Sequence, residues 1–85
     1  MSDTQLDYLD QVAARVLSGD LAGYGPLSTG ERAYVALAAN QAKLLKDGDF
    51  TIVQALARIG PEWSAELVQR WEYGIPAHAR RSLKP

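Results

Sequence analysis

The sequence predicts an all-α fold: a small single-domain bundle of four to five short helices. Three observations carry this reading. Apolar residues recur at helical spacing, as in Leu6, Leu9, Ala13, Val16 and Leu17. Three Ser/Thr-x-x-Glu/Gln spacings, Ser2–Gln5, Ser28–Glu31 and Thr51–Gln54, mark helix starts. No stretch alternates apolar and polar residues as a strand does. At 85 residues the chain is too short for two cores, and 47% hydrophobic against 22% charged residues is a globular composition rather than a disordered one.

The first helix is expected from about Thr4 to Leu17, with Gly19 as its left-handed stop. A loop with three glycines and Pro26 follows. The second helix is capped by Ser28 and should run to about Leu45 through an alanine-rich interior, up to the break at Asp47-Gly48-Asp49. The third, about Thr51 to Ile59, presents Ile52, Val53, Leu56 and Ile59 as its apolar face and ends at Gly60. Pro61 opens the fourth at the position proline favours, and that helix carries Trp63, Leu67, Val68 and Trp71 on one side before Gly74. Residues 1–75 form the helical domain in this reading, and 76–85 a basic C-terminal tail or a short helix. The expected core is Leu9, Val16, Leu37, Leu56, Ile59, Leu67 and Trp71, with both tryptophans as anchors.

Composition excludes several chemistries. With no cysteine, thiolate metal sites, disulfides and cysteine nucleophiles are out, and one histidine leaves no histidine pair. No convergent set of titratable groups suggests acid–base catalysis, so a non-enzymatic protein with no cofactor and no metal is expected. A net charge of -1 argues against a generic basic coat for nucleic acid or an anionic membrane. The balance is uneven: residues 1–31 carry one basic and five acidic groups, residues 58–85 five basic and three acidic. No secretory leader or membrane span is legible, and a cytoplasmic protein is expected.

Candidate sites are few. Asp3, Asp7 and Asp10 share one helix face. They read as an acidic patch for a basic partner, as ligands for a hard cation, or simply as acids favoured near a helix N-terminus. Gly23-Tyr24-Gly25 and Asp47-Gly48-Asp49 lack the partners of phosphate and calcium loops and read as turns. His78, between alanines, reads as solvated.

Residues 51–76 hold the most informative stretch. Two short helices join through Gly60-Pro61, and the second closes in Val68, Arg70, Trp71, Glu72 and Gly74, followed by Pro76. This stretch resembles the helix-turn-helix of Cro- and repressor-type DNA-binding proteins. The resemblance implies a small regulator that docks the 61–74 helix on DNA as a homodimer. Gln69, Arg70 and Tyr73 would then face the groove, and Arg80, Arg81 and Lys84 would lie near phosphates. The gap from Gly60 to Val68 is two residues longer than in that family's pattern. The alternative is a plain helical hairpin whose tryptophans fill the core. The protein would then be a protein-binding adaptor or inhibitor, of the accessory type found in phages and mobile elements, that masks a partner surface.

Overall fold

A computed structural model of the protein describes residues 4–80. It is all-α, with no strand among the described residues. The helices are α1 (Thr4–Leu17), α2 (Thr29–Ala38), α3 (Ala42–Asp47), α4 (Ile52–Trp71) and α5 (Ala77–Arg80). None is long and apolar enough to cross a membrane.

Two of the three capping boxes form as full reciprocal pairs. At α2 the Ser28 hydroxyl accepts from the Glu31 amide and the Glu31 carboxylate accepts from the Ser28 amide. At α4 Thr51 and Gln54 do the same. Each box satisfies two of the amides that a helix start leaves open. The third begins at Ser2, outside the described residues.

The second helix departs from expectation. It stops at Ala38, and α3 is a separate element. Asn40 takes φ 55, its amide bonds the Leu37 carbonyl, and the Gln41 amide reaches back to the Ala36 carbonyl. This is a Schellman stop with asparagine, which tolerates the left-handed region, in the place usual for glycine. The same device ends α3: Asp49, not Gly48, takes the positive φ of 61, and the Phe50 amide bonds Leu45.

The third and fourth helices of the sequence reading are the two arms of α4, residues 52–59 and 61–71. They meet at Gly60, whose φ of 86 and ψ of 168 interrupt the helix. That region is essentially closed to residues with a side chain. The Ser64 hydroxyl bonds the Leu56 carbonyl across the corner, satisfying one of the acceptors left by the end of the first arm.

The core sits between α1, α2 and the second arm of α4. Leu6, Leu9, Val12, Val16, Tyr34, Val35 and Leu67 are buried in it, and Leu37, Ile59, Trp63 and Trp71 are half-buried against it. Trp63 meets Tyr34 edge-on, with ring centroids 5.7 Å apart, a favoured aromatic geometry. A smaller cluster of Ala33, Ala36, Leu45 and Ala55 joins α2, α3 and the first arm. The alanines let these helices approach closely, and this corrects the expected apolar face of the first arm. Ala55 is the buried residue there, while Ile52, Val53 and Leu56 are exposed. Leu56 is therefore not a core residue.

Candidate functional site

The most concentrated chemistry lies where α1, α2, α4 and α5 converge on Asp10. Asp10 is fully buried. Leucine and alanine flank it on the same helix face, with Leu6 one turn before and Ala13 one turn after. A buried carboxylate is tolerable only if its oxygens find donors, and four are supplied. Oδ1 accepts from the Tyr34 hydroxyl of α2 and from Trp71 Nε1 of α4, both at 2.7 Å. Oδ2 accepts from Arg70 Nη1 at 3.0 Å and lies 2.9 Å from His78 Nε2 of α5. An ionised carboxylate can only accept, so His78 meets it through Nε2–H.

Arg70 is shared among three acids. Nη1 donates to Asp7 at 2.7 Å as well as to Asp10, and Nε donates to Glu66 one turn earlier at 2.9 Å. Burial alone would lower the pKa of its guanidinium, but the bonds to Glu66, Asp7 and Asp10 outweigh it and raise the pKa. Burial, then the hydrogen bond to Asp10, pushes the Tyr34 phenol well above its usual range. Tyr34 therefore stays neutral and acts as a donor. Among the described residues no buried side-chain polar atom lacks a partner.

The local sequence explains how the groups meet. Three-residue spacing sets Asp7 and Asp10 on adjacent turns of α1. Arg70 and Trp71 close the second arm of α4. The chain then turns through Gly74, at φ 97, and Pro76, whose carbonyl accepts from the Ala79 and Arg80 amides. This starts the short helix that buries Ala79 and brings His78 to Asp10 and to within 3.7 Å of Asp7.

Several expectations are corrected here. Asp10 does not belong to an exposed patch. Asp7 is half-buried on Arg70, and Asp3 lies outside the described residues. Arg70 does not face solvent, with its side chain only 14% exposed, because the Asp10 carboxylate requires its charge. His78 is not simply solvated. Gln69 is exposed, as are Tyr73 and Arg80, and the Arg80 Nε donates to the Ile75 carbonyl at 2.7 Å. Arg81 and Lys84 lie outside the described residues. The sequence did carry one signal for the hub: Asp10 falls inside the apolar stripe of α1, where an acid has no place unless donors converge on it.

Asp7, Asp10 and His78 offer three ligand atoms within 4.8 Å of one another, a spacing that could hold a metal ion. The Arg70 guanidinium already lies between the two carboxylates and supplies the positive charge there, so the arrangement is an ion-pair hub that ties four helices. No protein family, curated protein sequence or solved structure matches the chain.

The hub has an alkaline signature. The folded pKa of Tyr34 lies above the ordinary value of 10.0, so above about pH 10 the unfolded chain loses this proton first and binds fewer protons than the folded one. Stability should fall as pH rises past 10. In Tyr34→Phe that alkaline loss should be shallower than in the wild type, as read by denaturant unfolding at pH 8 and pH 11. Equal slopes for the two proteins would show that Tyr34 titrates as an ordinary exposed phenol.

Proposed function

We propose that the protein is a non-enzymatic protein-binding module that docks an apolar surface of a partner on the exposed face of α4. The observation that carries this is the exposure of Ile52 (57%), Val53 (74%) and Leu56 (36%) on one arc of the first arm, with Val68 (61%) on the second arm. On a helix, positions 52, 53 and 56 fall within roughly 100° of one another, and Ala57 continues the same side. No charged residue interrupts that arc. Contiguous exposed apolar surface on a small domain marks an interaction site more often than a scattered surface leucine does. Helical anchors at such spacing are a common recognition mode. The compact size and near-zero net charge suit docking by apolar burial rather than electrostatic steering.

The test is a Val53→Asp, Leu56→Asp double variant whose helicity matches the wild type by circular dichroism. The wild type should be recovered from cells with a stoichiometric partner, or sediment as a dimer. The variant should be a free, folded monomer. A wild type that is itself monomeric and recovers the same proteins as the variant would overturn the reading.

A second reading, DNA docking by the second arm of α4, is supported by the exposure of Gln69, Tyr73 and Arg80 at and after the end of that arm. It needs Arg70 at a base edge, and Arg70 is engaged with three carboxylates. A gel shift on random duplex in low salt decides, since non-specific binding appears there at roughly micromolar protein for true DNA binders.

A further inference from the structure

On the side of the bundle where α2 meets α3, a cleft of about 380 Å³ opens between the loop before α2 and the turn after α3. That volume falls within the range of small-molecule sites. Its floor is apolar, made by the buried Ala33 and Leu45, and its walls carry two aromatic rings, Tyr24 and Phe50. Two opposite charges line it, Arg32 and Asp47. Neither side chain makes an ion pair or a hydrogen bond with a described residue, and they do not pair with each other. Both act on the Tyr24 hydroxyl, which burial holds above its usual pKa while Arg32 pulls it down and Asp47 pushes it up. The cleft thus combines an apolar, ring-walled interior with a cation and an anion, near one phenol, that no described residue pairs.

We infer that this cleft binds a small zwitterion with an apolar side chain, of the class of free aromatic or aliphatic α-amino acids. The ligand carboxylate meets the Arg32 guanidinium, which suits that planar acceptor. The ligand ammonium meets Asp47, and the side chain enters between Tyr24 and Phe50. A ligand with only one charge leaves one of the two protein charges without its counterpart. The inference goes beyond the docking surface of α4, and Ile52, Val53 and Leu56 take no part in it.

The experiment is an amide-shift NMR titration of the full chain with phenylalanine and, in separate samples, with N-acetylphenylalanine, phenylalanine amide and glycine. N-acetylphenylalanine carries only the carboxylate, as the C-terminal residue of a chain would. Phenylalanine amide carries only the ammonium. Glycine carries both charges and no side chain. Phenylalanine should give saturable shifts at millimolar concentration, confined to residues around 24–33 and 44–50. The three analogues should each bind more weakly, and Arg32→Gln should weaken phenylalanine by about tenfold or more. Arg32 is exposed, so the variant's other resonances serve as its control for folding. Absence of saturable shifts would overturn the inference. So would N-acetylphenylalanine binding as well as phenylalanine, which would assign the cleft to a chain terminus, or an affinity untouched by Arg32→Gln.

Discussion

Asp10→Ala should destabilise the protein by about 3–5 kcal/mol, the usual range for removing one partner of a buried charge pair. The side chain is small, so little of this comes from lost packing. The loss comes from four donors that fold around one acceptor: the Tyr34 hydroxyl, the Trp71 indole, the Arg70 guanidinium and the His78 ring. Arg70 keeps Asp7 and Glu66, whereas among the described residues Trp71 Nε1 donates to Asp10 alone. Asp10→Asn should fall between, because its carbonyl oxygen can still serve Tyr34 and Trp71 while its amide nitrogen opposes Arg70. Urea unfolding measures both. A loss below about 1 kcal/mol for Asp10→Ala would mean that the four donors find water instead.

Trp71→Ala should have an effect of the same size, about 3–5 kcal/mol, through a different mechanism. The ring packs against the core beside Leu67, and its loss opens a cavity in the second arm of α4. Trp71→Phe separates packing from hydrogen bonding. It keeps an aromatic ring and removes the donor to Asp10, so it should cost about 1–3 kcal/mol. For a domain of this length, the alanine variant should melt at least roughly 12 °C below the wild type. A shift of a degree or two would mean that the indole lies on the surface and that the second arm is turned the other way.

The contrast between these two positions shows what the sequence could and could not reveal. Trp71 was legible as an anchor, because its spacing from Leu67 places both on one helix face. The starts of α2 and α4 were legible too, since a capping box depends only on residues three apart. The end of α2 was not read, although Asn40 was available as a left-handed residue; the alanines on both sides of it favour continued helix. The outward face of the first arm was misjudged because spacing alone gives a stripe's position around the helix and not which stripe meets a neighbour. Alanine at position 55 holds the buried place, packed in one cluster with Ala33 and Ala36 of α2. The hub was least legible, since the bonds to Asp10 join residues 24 to 68 positions apart along the chain. Periodicity cannot pair Asp10 with Arg70. The same distance in sequence made Arg70 look free for DNA, when its charge is what makes a fully buried Asp10 tenable.

That pairing decides how the second arm of α4 is read, because it turns Arg70 inward, away from any groove-facing surface. A double-mutant cycle tests it most directly: wild type, Asp10→Asn, Arg70→Gln and the double variant, each unfolded in urea at neutral pH. The account predicts that the two single losses exceed the double loss in sum, with a coupling of about 1–3 kcal/mol. Additive losses, with coupling near zero, would show that Arg70 is not held by Asp10 and would contradict the account.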